Sequence, residues 1–204
     1  MQTSEDAVTG SRRTFTETAR RAQIVAAAIE TIAEVGYGRA SFAQIAKCAD
    51  LSSTGLISYY FAGKDELIGE VVNEVVGAIG RFMEERMAQA AGSRDALRVY
   101  IEGNVEFIGT HRTEMKALLE IFMNGGFHYD TDSEQAVRSP VEHVLLAGQE
   151  AGEFRRFDPK VMAVLIQRAV DGLPFLLAAE PELDIAAYAA EVCTVFDLAT
   201  RVNR

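Results

Sequence analysis

A run of small residues, Ser-Ser-Thr-Gly at residues 52–55, precedes a short apolar and aromatic stretch that reaches Phe61. The run lies where a short helix is predicted to begin, so its hydroxyls and backbone amides meet the positive end of the helix dipole. A helix N-terminus of this kind attracts a phosphate group, and glycine lets the phosphate approach the backbone. The alternative is that the run only caps the helix.

A capping box opens the preceding predicted helix. Ser41 and Gln44 are three residues apart, so the Ser41 hydroxyl can accept from the Gln44 amide while the Gln44 side chain reaches back. A turn of about three residues near Asp50 then leads to the second short helix. Helix, tight turn and helix is the arrangement in which the second helix of a helix-turn-helix enters the major groove of DNA.

The remaining elements are also predicted to be helical, because apolar residues recur at spacings of three and four and no segment alternates like a strand. A first helix covers about 16–35 and ends at Gly36. A long helix runs from Lys64 to about residue 90, and Pro174 should kink the penultimate helix. The further predicted helices are 94–109, 113–123, 134–151, 159–178 and 185–201.

Composition indicates a soluble globular protein with a locally basic start. The chain has 204 residues and a net charge of −10, yet residues 12–64 hold seven basic and four acidic side chains. A basic module on an acidic body is compatible with nucleic-acid binding. No apolar run approaches the ~20 residues of a membrane span, and no secretory signal is found, so we expect a cytoplasmic protein without a membrane partner.

The segment FAQIAKCADLSSTGLISYYF, from Phe42 to Phe61, is followed by AGKDEL and resembles the DNA-binding signature of the TetR family of bacterial regulators. The resemblance implies an all-α fold with an N-terminal three-helix helix-turn-helix DNA-binding domain and a larger helical ligand-binding and dimerisation domain. We assign residues 1–13 to a flexible arm, 14–65 to the DNA-binding domain and 66–204 to the larger domain. Such proteins are usually homodimeric repressors that leave an inverted-repeat operator when a small molecule binds.

The resemblance also implies which residues contact DNA. Hydroxyls, the Tyr60 phenol and Lys64 suit phosphate oxygens, whereas Gln44, Thr54 and Tyr59 suit base edges or a thymine methyl. Asp50 replaces the usual glycine of a left-handed turn, a conformation that Asp tolerates, and Ser58 replaces a more common tyrosine. The implied contacts are Ser41, Gln44, Ser52, Ser53, Thr54, Gly55, Ser58, Tyr59, Tyr60 and Lys64.

Basic residues precede and begin the first predicted helix. Arg12, Arg13, Arg20 and Arg21 resemble the basic arm with which such proteins hold the DNA backbone. The alternative is a solvated tail. Each true phosphate contact would add close to one unit to the slope of log affinity against log salt concentration.

The last two predicted helices are apolar on more than one face, and such helices must be buried on more than one side. In a domain of this size a partner subunit is expected to cover them, giving an interface of two helices from each protomer. The residues assigned to this interface are Val161, Leu165, Leu176, Val192, Val195 and Phe196.

Candidate ligand contacts are polar residues placed among aromatic residues and methionines. Any one of them could instead be an ordinary core or surface residue. Glu120 and Asp171 are candidate counter-ions for a cationic ligand, although a buried charge needs a partner. The candidates are Tyr100, Asn104, Phe107, Phe122, Met123, Phe127, His143, Gln167, Asp171 and Phe175.

No catalytic or metal-binding pattern is found, and we expect no cofactor. The three histidines lack zinc-type spacing, and phosphate-binding and nucleophile-elbow motifs are missing from the sequence. Acidic residues at 130, 132 and 134 indicate a solvated loop rather than a calcium site. We therefore predict a ligand-responsive repressor. The alternatives are an activator, a regulator without an effector, or a helical small-molecule-binding protein that does not bind DNA.

Overall fold

The computed structural model describes residues 5–126 and 131–202, and the side chains of residues 16–126 and 138–202. Within these ranges the fold is all-α, and the one β-type pairing is an isolated bridge between Phe154 and Arg201. The helices are α1 (Glu5–Val35), α2 (Phe42–Cys48), α3 (Gly55–Tyr60), α4 (Lys64–Met87), α5 (Ser93–Thr110), α6 (Arg112–Met123), α7 (Thr131–Glu150), α8 (Pro159–Asp171), α9 (Leu173–Ala179) and α10 (Ile185–Thr200).

The first helix begins earlier than expected. The backbone of residues 5–13, which we assigned to a flexible arm, is part of α1. The sequence has no proline before Pro140 that would interrupt a helix here, and Glu5 and Asp6 are residue types favoured in a first turn. Residues 1–4 and the side chains up to residue 15, including those of Arg12 and Arg13, lie outside the described part of the chain.

The segment after Asp158 forms two helices instead of one kinked helix. The Asp158 carboxylate accepts from the amides of Lys160 (2.9 Å) and Val161 (3.2 Å), which starts α8. The helix is interrupted at Gly172, two residues before Pro174, and α9 begins at Leu173. By length and composition Pro159–Ala179 could cross a membrane, contrary to our expectation from the sequence, but core helices of soluble proteins meet the same criterion.

Two compact units divide the chain. Unit 1 comprises Met1–Val75 and Lys116–Phe127, and unit 2 comprises Val76–Met115 and His128–Arg204. The sequence-based division at residue 65 placed the start of α4 and most of α6 in the larger domain. In the structure these segments join unit 1, where the Glu120 carboxylate accepts from the backbone amide of Tyr37.

In unit 2, α5 packs against α7, α8, α9 and α10. Its buried face is continuous over several turns because apolar residues recur at Leu97, Ile101, Val105 and Ile108. Two apolar clusters result, one centred on the first half of α5 and one on its second half beside α9. Arg155 closes the end of α10 by donating to the Ala199 carbonyl at 2.7 Å.

Candidate nucleic-acid interface

The N-terminus of α2 has the predicted capping box. Ser41 is the N-cap residue, its hydroxyl accepts from the Gln44 amide at 3.3 Å, and the Gln44 side-chain oxygen accepts from the Ser41 amide at 3.1 Å. Both side chains are exposed. The predicted capping box is confirmed. The Gln44 side chain is held at the start of α2 by the hydrogen bond from the Ser41 backbone amide.

The turn between α2 and α3 depends on Asp50. Asp50 has a φ of +51°, so the predicted left-handed conformation is confirmed. The next amide, that of Leu51, donates to the Ala46 carbonyl at 2.8 Å and closes the turn. A residue in this conformation changes the chain direction within a few positions, so it separates α2 from α3 as two distinct helices.

Helix α3 is anchored on one side and exposed on the other. Ile57 and Phe61 are buried in unit 1, at 0% and 1% exposure. Thr54 is the N-cap residue and makes no side-chain capping bond. The predicted DNA-contacting residues at and just before the N-terminus of α3 are all exposed; they are Ser52, Ser53, Thr54 and Gly55.

In the C-terminal half of α3 the predicted DNA-contacting residues differ in their exposure. Ser58 is exposed, and Tyr59 is 77% exposed. Tyr60 is half-buried, and its ring meets that of Tyr59 edge-on with centroids 4.9 Å apart. Apart from this ring contact, most of the Tyr59 side chain is exposed to solvent.

Lys64, at the start of α4, contacts a residue that the sequence analysis did not single out. Its ammonium donates to the Tyr37 carbonyl at 3.1 Å and lies 4.3 Å from the centre of the Tyr37 ring. A lysine ammonium has three donors, so this contact leaves capacity for a phosphate oxygen. The Gly-Tyr-Gly sequence at residues 36–38 is the sequence feature from which a structured turn at Tyr37 could have been predicted.

The two arginines at positions 20 and 21 have different surroundings. Arg20 donates to the Gln23 side chain on its own helix at 2.8 Å. Arg21 instead donates to the Tyr60 carbonyl and lies 3.3 Å from a Glu66 oxygen. The structure therefore separates two residues that the sequence analysis grouped in one basic arm.

Four of the predicted ligand contacts lie together in unit 2. The Tyr100 hydroxyl donates to the Gln167 side-chain oxygen at 2.7 Å, and the Gln167 amide donates to Asp171 at 2.8 Å. Asn104 donates to the Tyr100 carbonyl at 2.8 Å. Burial raises the pKa of Asp171, while Gln167 and Arg168 oppose the shift. We call the chain Tyr100–Gln167–Asp171 the polar network.

The structure places the other described ligand candidates in different surroundings. Phe107 is buried and stacks on His111 with ring centroids 4.0 Å apart. His143 is exposed and its ring nitrogen lies 3.3 Å from the Ser139 hydroxyl. Phe175 is 50% exposed. Half-buried Phe122 and exposed Met123 belong to unit 1, and Phe127 lies outside the described residues.

The predicted interface residues fall into two groups. Four have exposed side chains in the single chain, namely Val161, Leu165, Leu176 and Val195. Phe196 is 8% exposed and belongs to the core of its own unit, with Val192 packed against the same core. Leu198 and Val202, which the sequence analysis did not assign to the interface, are exposed on α10 and just after it.

These features define the class of protein. An all-α chain whose first compact unit carries a helix-turn-helix with an exposed second helix has the architecture of a helix-turn-helix DNA-binding protein. The family model described as "Bacterial regulatory proteins, tetR family" matches residues 24–71. The chain belongs to the tetR family and is a DNA-binding transcriptional regulator.

Curated relatives support this assignment over most of the chain. It is 39% identical over 159 residues to HTH-type transcriptional regulator BetI 1 of Chromohalobacter salexigens, which covers 78% of this chain and 75% of the relative. Identity to BetI of Stenotrophomonas maltophilia is 34%, covering 77% of this chain and 80% of the relative. The relatives named here are transcriptional regulators.

Solved structures support the fold. A transcriptional regulator of Saccharomonospora viridis in complex with choline matches with a TM-score of 0.79 and 20% identity, covering 91% of this chain and 100% of the other. FadR of Bacillus subtilis in complex with stearoyl-CoA matches with a TM-score of 0.71 and 22% identity, covering 85% and 95%.

Proposed function

We propose that this regulator is a cytoplasmic, homodimeric repressor that binds an inverted-repeat operator and is released by a small-molecule effector. The observation that carries the proposal is α3, which is anchored through Ile57 and Phe61 while its opposite face is exposed. A short helix held in this way presents side chains to the major groove without changing the fold behind it.

The proposed DNA contacts divide by chemistry. Ser41, Ser52, Ser53 and Ser58, together with Tyr60 and Lys64, are proposed to contact phosphate oxygens, which position the protein. Gly55 is proposed to allow the DNA backbone close to the start of α3. Gln44, Thr54 and Tyr59 are proposed to contact base edges, because an amide reads donor and acceptor patterns and apolar atoms meet a thymine methyl.

Selection from a random DNA pool, repeated at two salt concentrations, tests this proposal. We expect an enriched inverted repeat with half-sites about 34–36 Å apart or a multiple of it. Replacing Thr54 and Tyr59 together by alanine should weaken operator binding at least about tenfold, with a much smaller loss on random duplex. Thr113→Ala, an exposed threonine outside the helix-turn-helix, is the control. Equal losses on both DNAs would contradict the assigned roles.

Dimerisation is proposed to use the exposed apolar faces of α8, α9 and α10. Val161 and Leu165 are 55% and 54% exposed, and Val195 and Leu198 are 49% and 52% exposed. Several large apolar side chains exposed to water favour a partner surface.

Leu165→Glu should yield a monomer in light scattering, because a charge would be buried in the interface. Met123→Glu adds the same charge to unit 1 and should stay dimeric. If Leu165→Glu is also dimeric, the proposed dimerisation face is contradicted.

Effector binding is proposed to take place beside the polar network of unit 2. The Asp171 carboxylate and the Tyr100 ring of this network suit a small cation. The structure solved with choline makes choline the first compound to test, and the one solved with stearoyl-CoA makes an acyl-CoA the alternative.

A labelled operator measures effector response directly. Choline should release the wild-type protein, and Asp171→Asn should raise the concentration needed for release. Release by stearoyl-CoA and not by choline would contradict the cationic class. A reporter gene under the selected operator then separates a repressor from an activator. The mechanism expected for release is a shift of population toward states whose recognition helices no longer match the groove spacing.

A further inference from the structure

The recognition helix α3 has only six residues, Gly55–Tyr60. Isolated helices shorter than about 12–15 residues are marginal in water. The orientation of α3 therefore depends on contacts from other elements. Ile57 anchors its middle, but the two tyrosines that end it are exposed or half-buried.

Arg21 of α1 contacts the C-terminal end of this helix. Its guanidinium donates a hydrogen bond to the Tyr60 carbonyl, and its Cζ lies 4.4 Å from the centre of the Phe61 ring. The last carbonyls of a helix lack partners within the helix and carry partial negative charge. A cation is therefore well suited to this position.

Two carboxylates of α4 lie close to the same guanidinium. The Arg21 Nη2 lies 3.3 Å from Glu66 Oε1 and 3.7 Å from Glu70 Oε1. The second Glu66 oxygen accepts from the Ala62 amide at 2.6 Å, in the loop that joins α3 to α4. The hydrogen bond from this amide lowers the pKa of Glu66, and Arg21 lowers it further. Arg21 thus links α1, the end of α3 and the start of α4.

We propose that Arg21 is a positioning residue for operator recognition, which holds the end of α3 that carries Tyr59 and Tyr60, and that it is not a phosphate contact. The inference rests on the proposal that α3 reads the operator. An arginine used for phosphate binding would contribute equally to every DNA sequence, whereas one that orients α3 contributes only where side chains must match bases.

Affinities for the selected operator and for random duplex, each measured across salt concentration, test the inference. Arg21→Gln should lower operator affinity about tenfold and random-duplex affinity by a clearly smaller factor, with no change in the salt slope of nonspecific binding. Arg21→Lys should also lose operator affinity, since an ammonium does not reproduce the planar fork. Arg20→Gln is the matched control and should leave the ratio of the two affinities unchanged.

Glu66→Gln separates positioning from charge. The variant keeps an oxygen that can accept from Ala62 but weakens the pairing with Arg21. Removing a negative charge should strengthen DNA binding if only the net field mattered. We expect operator affinity to fall instead. A variant that merely folds less well would lower both affinities by the same factor, and circular dichroism of each variant measures the folded fraction.

Three results would overturn the inference. The first is a fall of about one unit in the salt slope of Arg21→Gln with equal losses on both DNAs, which is the behaviour of a phosphate contact. The second is stronger operator binding by Glu66→Gln. The third is selection of no operator by the wild-type protein, which would overturn the proposed function as well.

Discussion

The backbone amide of Tyr37 donates a hydrogen bond to the carboxylate of Glu120 across 3.2 Å, although 83 positions separate the two residues. The neighbouring Gly36 has a φ of +83°, and a side chain there would meet the same carboxylate. With Lys64 bonded to the Tyr37 carbonyl, the turn after α1 is held by both α4 and the end of α6. This hydrogen bond is one of the contacts that join residues 116–127 to the DNA-binding unit.

Loss of the Glu120 acceptor should destabilise unit 1. We expect Glu120→Ala to lower the free energy of unfolding by about 1–2 kcal/mol, because the half-buried Tyr37 amide loses a charged partner. Glu120→Gln keeps an oxygen at that position and should lose clearly less. Urea denaturation followed by circular dichroism measures both, and equal losses would show that the hydrogen bond is not the source of stability.

Two helical glycines should respond to alanine with opposite signs. At Gly148 a Cβ would lie 2.1 Å from the buried Phe154 ring, whereas at Gly80 no atom lies within 4 Å. Overpacking costs about 1–3 kcal/mol, while alanine is favoured over glycine in a helix by about 1 kcal/mol. Gly148→Ala should therefore lower the melting temperature and Gly80→Ala should raise it. A rise for both would indicate that Phe154 can move aside.

The polar network should behave as a coupled unit. Tyr100→Phe removes the donor to Gln167, both residues being buried, and should cost about 1–3 kcal/mol because a buried acceptor is left without its partner. Gln167→Leu should also destabilise, and the double variant should lose less than the two single losses together. Additive losses in denaturant titration would contradict the coupling.

Asp171 and Asp95 should give opposite pH dependences of stability. Burial raises the pKa of Asp171 above its ordinary value of 3.8. Its contribution to stability is thus fully present below about pH 4 and is lost as pH rises through the folded-state pKa. Asp171→Asn, which keeps an oxygen for Gln167, should gain stability relative to wild type between pH 4 and pH 7.

Asp95 provides the matched opposite case. The Ala91 amide, and then Arg98, lowers the pKa of this carboxyl. Its contribution is therefore present above the ordinary value and is lost as pH falls through the folded-state pKa. Asp95→Asn should be less stable than wild type at pH 7, with the difference shrinking in acid. Unfolding curves at pH 3, 4 and 7 for both variants measure these trends, and parallel pH dependences would contradict the assignment.

Local sequence determined most of the secondary structure and the framework of the DNA-binding site. The Ser41–Gln44 capping box, the left-handed Asp50 and the Asp158 cap all depend on groups within about four positions of each other. Signals of this range survive in any fold that keeps the backbone helical nearby. Similar short-range spacing identified the helix-turn-helix, and the resemblance it supported led to the correct family.

Tertiary structure alone decided which partners distant residues find. Arg21 resembles a residue of a basic arm by sequence, but its guanidinium pairs with Tyr60 and Glu66, 39 and 45 positions away. Phe196 shares an apolar helix with Val195, yet one is buried in its own unit and the other is exposed. The spacing of apolar residues shows that a helix has apolar faces. Which face contacts which element depends on how all the helices pack.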